Sequence, residues 1–244
     1  MQFDVKKEAA KVKFLLEKKS LPSVRAQVVD VLDVSGSARP LFNSGAMQKA
    51  VQTILPVALN FDDNGEIDVY TFATGSEMVT HIELNATAEN FENYVQKNIL
   101  DNNKVPKWGC TDYAPVMEQI LEDFGFYETK ISGGFFSKKK ETVLKANSKS
   151  GDPVIVFFKT DGANADHRAT KGLFQKMQDA GVQLYTLFIG IGPRSSFGNI
   201  VEYGDKFDNV GFLSVADLDK MAGSDNVYDL LLPDELMTWL KQRR

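Results

Sequence analysis

Asp33-Val34-Ser35-Gly36-Ser37 follows directly on an apolar run over residues 26–32 and offers a carboxylate and two hydroxyls within one short stretch. A strand that ends in such a set, with a glycine to tighten the turn, presents oxygens at its carboxyl end. In open α/β sheets that edge is where ligands bind. Alone, the pentapeptide reads equally well as an Asx or Ser turn capping a helix. Two further segments add to it. Gly109-Cys110-Thr111-Asp112-Tyr113 opens a helical pattern and supplies Thr111, and the apolar run 154–158 continues through Lys159 and Thr160 into Asp161-Gly162. Asp33, Ser35, Ser37, Thr111 and Asp161 make an all-oxygen donor set, which suits a hard cation such as Mg²⁺ and is wrong for Zn²⁺ or copper.

The elements that must position these residues are legible from periodicity. Residues 5–20 place Val5, Ala9, Val12, Leu15 and Leu16 near one helical face. Residues 24–32 and 154–158 are nearly continuous apolar runs, the pattern of parallel strands buried on both faces. Helical spacing recurs over 45–59, from about 87 to 99, over 113–124 and over 169–180, where Gly181 marks the stop. Strands are predicted over 67–72 and 182–189, with a last short one over 207–213. Residues 227–240 read as a terminal helix interrupted at Pro233, and 62–65 as a turn. Strands alternating with helices predict an α/β fold: a doubly wound, mostly parallel central sheet of about five or six strands, flanked by helices on both faces. One such sheet accounts for nearly all 244 residues, so a single domain over 1–244 is expected. The Lys-, Gly- and Ser-rich stretch around 130–152 reads as an exposed insertion.

Composition narrows the setting. The hydrophobic fraction is 43% and the charged fraction 25%, as in globular proteins. The net charge of −5 weighs against nucleic acid and anionic membranes as partners. Cys110 is the one cysteine, so no intramolecular disulfide is possible, which fits a reducing compartment. The first residues lack the apolar core of a signal peptide, and no run approaches 18 apolar residues. A cytoplasmic protein without a membrane span is therefore expected.

Asp-x-Ser-x-Ser, a downstream Thr and a strand-terminal Thr-Asp-Gly resemble the metal-ion-dependent adhesion site (MIDAS) of von Willebrand factor A (vWA) domains. Ile54-Leu55-Pro56-Val57-Ala58, Phe61 through Tyr70, Thr111-Asp112-Tyr113-Ala114-Pro115, Phe188-Ile189-Gly190-Ile191-Gly192 and Tyr228-Asp229-Leu230-Leu231 are similar to the bacterial tellurium-resistance (TerF-like) branch. The resemblance covers residues 5–242. It implies that Ser35 and Ser37 ligate a divalent metal directly. Asp33 and Asp161 would bond directly or through water, and Thr111 would join in a high-affinity state. The metal is Mg²⁺ in the first instance, with Mn²⁺ or Ca²⁺ as alternatives, and its last coordination position is left for water or for an acidic side chain of a protein partner. Ala38 stands where the family often has Met, and Gly109-Cys110-Thr111 where it often has Gly-Gly-Thr.

Other signals have blander readings. Asn60 to Ile67 mimics the start of a calcium-binding EF-hand loop, but Thr71 stands where the bidentate Glu is required, so a helix-to-strand turn is expected. Gly190-Ile191-Gly192 lacks the third glycine of a nucleotide loop and reads as a turn. His81 falls on a strand or edge and His167 at a solvated helix start; neither has a zinc spacing. Cys110 reads as a small, semi-buried residue, and Lys138-Lys139-Lys140 as a solvated loop. The functional expectation is a metal-dependent protein-binding module, not an enzyme, in a bacterial or phage tellurium-resistance or stress system. The alternatives are a metal-assisted phosphoesterase and a scaffold protein with an empty metal site.

Overall fold

The computed structural model describes residues 3–21, 23–61, 66–85, 92–132 and 139–243. After helix α1 (Val5–Lys18), strand β1 (Gln27–Asp33) leads into α2 (Arg39–Asn43) and α3 (Ala46–Phe61). β2 (Glu66–Phe72) and β3 (Thr80–Asn85) follow, then a wide helical turn at Gln96–Leu100 and α4 (Ala114–Asp123). β4 (Tyr127–Ser132) and β5 (Lys139–Leu144) pair only with each other. The chain continues through β6 (Val154–Thr160), α5 (His167–Asp179), β7 (Leu184–Ile191), α6 (Gly198–Lys206) and β8 (Val210–Val215). It ends in α7 (Leu218–Ala222), α8 (Val227–Leu231) and α9 (Asp234–Lys241).

The main sheet has the order β3-β2-β1-β6-β7-β8. All neighbours are parallel except β2 and β3. Alternate residues of the central strands feed two cores. Val28 and Leu32 of β1, with Ile155 and Phe157 of β6, pack with α1, α3 and the C-terminal helices. Val29 and Val31, with Val154, Val156 and Phe158, pack with α4, α5 and α6. This two-faced burial explains the uninterrupted apolar runs, and the result is a three-layer α/β/α architecture.

From β1 the chain turns through α3 toward β2, and from β6 through α5 toward β7, so the direction of winding reverses between β1 and β6. The crevice at the carboxyl ends of the two strands on either side of such a switch is the ligand position of doubly wound sheets. Asp33 and Thr160 are the last residues of those strands.

Several expectations need correction. Part of the predicted excursion around 130–152 is the β4–β5 hairpin, whose cross-strand pairs run from Tyr127–Leu144 to Ser132–Lys139; Lys139 and Lys140 are therefore strand residues, not loop. Gly190 and Ile191 belong to β7, and the turn begins only at Gly192. A Cβ on Gly190 would lie 2.8 Å from Phe212 and 2.9 Å from Phe197, so the glycine serves close packing within a strand. The start of the helix expected near 87 and the EF-hand-like turn at 62–65 lie outside the described residues.

Candidate metal centre

Asp33 is fully buried at the end of β1. Its Oδ1 accepts the backbone N–H of Ser35 at 2.8 Å, and its Oδ2 accepts the Thr160 hydroxyl at 2.7 Å. The first bond is an Asx turn, which tightens the chain so that Ser35 and Ser37 come side by side, their hydroxyls 3.1 Å apart. The Ser37 hydroxyl then donates to Asp161 Oδ1 at 2.9 Å, across 124 positions of sequence. Asp33, Ser35, Ser37 and Asp161 are thus one hydrogen-bonded group at the switch point.

Thr111 lies on the loop between them. That loop is tied to the β1 end by Gly36 N–H donating to Gly109 O (3.0 Å) and Trp108 N–H to Val34 O (2.7 Å). It is tied to the loop after β6 by Ala165 N–H donating to Thr111 O (2.8 Å). Among the described residues no side-chain hydrogen bond joins Thr111 to the other four. The structure therefore gathers four of the five expected donors directly and places the fifth on an adjoining, pinned loop.

The electrostatics lack a counter-charge. Burial pushes the Asp33 carboxyl up to about 6, with hydrogen bonds from Ser35 and Thr160 pulling it back and the Asp161 carboxylate pushing it further. Asp161 is raised by burial too, offset by Ser37. Lys159 does not neutralise them: it points to the opposite face of β6, where it pairs with buried Asp30. Two acids beside two hydroxyls, with no cation of the chain bonded to them among the described residues, are the chemistry that fits a hard divalent ion. Asp33, Ser35, Ser37 and Asp161, with Thr111 on the adjoining loop, are the residues that would hold it. Bound there, it would offer an open Lewis-acid position to an incoming oxygen ligand.

Sequence reasoning missed the residues that build this frame. The Tyr113 hydroxyl lies 3.1 Å from Thr160 Oγ1 and donates to Gly162 O at 2.5 Å, bracing the hydroxyl that supports Asp33. Asp166 immediately precedes α5 but makes no side-chain cap there. Its carboxylate accepts the N–H groups of Tyr113 (3.0 Å) and Ala114 (2.8 Å) at the start of α4, along with Asn164 (2.7 Å) and Thr170 (3.0 Å). The Thr111 loop is fixed on its other side by Asp112, whose Oδ2 accepts Gly75 N–H at 3.0 Å, and by Thr74, whose hydroxyl accepts Cys110 N–H at 2.6 Å. Gly109 is needed for that approach, because a Cβ there would lie 2.7 Å from Thr74 Oγ1. Trp108 adopts a positive φ of 70° beside the site, a conformation uncommon for a bulky residue. Its ring meets Phe42 edge-on at 5.8 Å and carries the Arg39 guanidinium at 5.3 Å.

Two minor expectations change. Cys110 is exposed, not semi-buried, because the backbone bond to Thr74 turns this stretch outward. His167 is half-buried rather than solvated: its Nδ1 lies 2.7 Å from the Tyr203 hydroxyl, and its ring stacks on that tyrosine at 5.5 Å. His81 lies on β3 as expected, stacked on Tyr70 at 4.4 Å with Nε2 2.6 Å from Asp68. No described helix is long and apolar enough to cross a membrane.

Residues 25–132 and 137–244 match the family vWA-TerF-like, described as the vWA found in the TerF C terminus. The uncharacterized protein YcbR of Bacillus subtilis (strain 168) is 32% identical over 236 residues, covering 96% of this chain and 85% of its own. Among solved structures, proximal thread matrix protein 1 from the mussel byssus aligns at a TM-score of 0.51 with 18% identity over 86% of this chain, a likeness of fold alone. The chain spans 48% of that structure, about half its length. Another structure of the mussel protein, with a zinc-occupied MIDAS motif, aligns at 0.49 with 17% identity, covering 86% of this chain and 48% of that one. The sequence match over nearly the whole length, on a three-layer sheet with the acids and hydroxyls at its switch point, places this chain in the vWA-TerF-like family of von Willebrand factor A domains.

Proposed function

We propose that this chain is a metal-dependent protein-binding module. It holds a divalent cation, Mg²⁺ in the first instance, at Asp33, Ser35, Ser37, Thr111 and Asp161, and captures a partner through an Asp or Glu that completes the coordination. The observation that carries this reading is the continuous group Asp33–Ser35–Ser37–Asp161, linked by contacts of 2.8–3.1 Å and bonded to no cationic side chain among the described residues. Mg²⁺ keeps waters readily, so a site with protein ligands on one side and an exchangeable position on the other suits its coordination habits. An acidic side chain entering that position makes partner and metal binding mutually dependent.

The reading is of a binding module and not an enzyme. Among the described residues the hydrogen-bond partners of the four clustered side chains are hydroxyls, a backbone amide and one another's carboxylate, with no imidazole or thiolate placed as base or nucleophile. By family, its setting is a bacterial or phage tellurium-resistance or stress system in the cytoplasm, with residues 1–244 acting as one module and the β4–β5 hairpin as an insertion. Affinity capture from a cell extract, with Mg²⁺ and with EDTA, tests the proposal. Wild type in Mg²⁺ is expected to retain partners that both EDTA and Asp33→Ala release. Recovery of the same proteins under all three conditions would overturn it.

A further inference from the structure

Arginine is scarce in this chain: Arg25, Arg39, Arg168, Arg194, Arg243 and Arg244 are the whole supply. Arg39, Arg168 and Arg194 follow the carboxyl ends of β1, β6 and β7, the sheet edge that carries the acid–hydroxyl cluster. Arg39 is two positions beyond Ser37, at the start of α2, and Arg194 three positions beyond the end of β7. Both are exposed. Neither forms an ion pair among the described residues. Each is laid on an aromatic ring instead, Arg39 at 5.3 Å from the Trp108 centroid and Arg194 at 5.1 Å from that of Phe212.

Stacking of this kind holds the planar guanidinium while leaving its N–H fork free, and that fork matches a carboxylate better than a lysine ammonium does. The two side chains also lie toward different layers. Trp108 packs against the core shared by α1 and α3, and Phe212 against the core shared by α5 and α6. β1 and β7 are the two neighbours of β6. The segments that carry Arg39 and Arg194 therefore leave the sheet on either side of the strand that runs into Asp161, with Arg194 reaching outward over Phe212 of β8.

We infer that Arg39 and Arg194 are carboxylate-binding arms flanking the metal cluster, so that the partner presents an acidic segment with carboxylates on both sides of the one that reaches the ion. This rests on the metal-dependent binding reading and specifies the partner's chemistry. An extended peptide advances about 3.3 Å per residue, so acidic side chains two to four positions from the coordinating residue extend about 7–13 Å to either side of it. A chain of net charge −5 does not attract anions as a whole, so an acidic segment needs local cationic side chains such as these two. A nucleic acid is the poorer fit, since its phosphates call for a longer basic stripe.

The test uses the ¹⁵N-labelled full chain and reads the Nε–H signals of Arg39 and Arg194 during titration, in Mg²⁺, with two synthetic peptides. One is Gly-Ser-Gly-Glu-Gly-Ser-Gly, and the other is Glu-Asp-Gly-Glu-Gly-Asp-Glu. The acidic-flanked peptide is expected to shift both signals and to bind about tenfold more tightly than the single-glutamate reference at low salt. Arg39→Gln and Arg194→Gln should each lower that ratio about threefold, and raised salt should shrink it. An unchanged melting temperature confirms that these exposed variants fold. Equal affinities for the two peptides, a ratio unaffected by either variant, or displacement of the acidic peptide by oligo(dT) of equal charge would overturn the inference. Repeating the titration in EDTA separates the two claims. Arginine-dependent preference that persists with no effect of metal leaves the arms standing and removes the metal reading. Metal dependence without arginine dependence does the reverse.

Discussion

Asp33 carries the tension of the site. It is buried, braced by Ser35 and Thr160, and faces a second carboxylate. With its pKa raised from 3.8 to about 6, its neutral form is favoured in the folded chain, so the metal-free protein loses stability from this group as pH rises between about 4 and 6. The loss is on the order of 2–3 kcal/mol. Asp30, which burial also raises against the pull of its partner Lys159, adds to the same slope, and Asp33→Asn separates the two. Mg²⁺ held there would compete with the proton on Asp33, so its stabilising effect should appear as pH rises through 6. At about 100-fold over Kd it contributes about 2.7 kcal/mol, about 5–10 °C of melting temperature for a chain of this length. That shift is expected at pH 7.5 and at less than half its size at pH 5, as read by thermal melts with Mg²⁺ and with EDTA. Equal shifts at both pH values would contradict the assignment. The five donor residues were legible because their types and spacing are unusual together. The bracing roles of Thr160 and Tyr113 were not, since the motifs contain both residues but do not say which groups their hydroxyls meet.

At the scale of elements, the Thr111 loop is set by partners from other segments. Lys107 gathers the carbonyls of Ile99, Asn102 and Val105 at 2.8–3.0 Å, giving order to a stretch with no regular structure. Asp166 joins the start of α4 to the loop after β6. Asp166→Ala should remove a capping interaction worth about 1 kcal/mol and let the Thr111 loop drift from Asp161. Mg²⁺ affinity is then expected to fall about tenfold or more, as when an outer support of a metal ligand is lost. Urea unfolding in EDTA measures the first effect and calorimetric Mg²⁺ titration the second; an unchanged affinity would show that Asp166 only stabilises the fold. The long helices α1, α3, α4 and α5 were legible because each repeats its apolar face over several turns. The short α2 and α7, five residues each, offer at most a turn and a half to read. β4 and β5 stayed hidden because their mixed Lys, Glu and Thr residues do not alternate with apolar ones.

At the scale of the molecule, the fold places the acid–hydroxyl cluster where its winding reverses. Strands β1 and β6 are adjacent in the sheet yet about 120 residues apart in the chain, which is why Asp33 and Asp161 meet although nothing in their spacing requires it. The sequence predicted that convergence from the alternation of strands and helices, and the strand order supplies the reason. What no pattern could reveal was the frame of cross-loop hydrogen bonds and the stacked arginines, because these depend on which loops become neighbours. Titration of the metal-free chain with Mn²⁺ at pH 7.5, following free Mn²⁺ by electron paramagnetic resonance, for wild type and Asp33→Asn, tests whether Asp33, Ser35, Ser37, Thr111 and Asp161 form one divalent-cation site. One saturable site in the wild type, displaced by Mg²⁺ and lost in the variant, is the expected result. No Mn²⁺ uptake by the wild type, or equal uptake by the variant, would contradict the account.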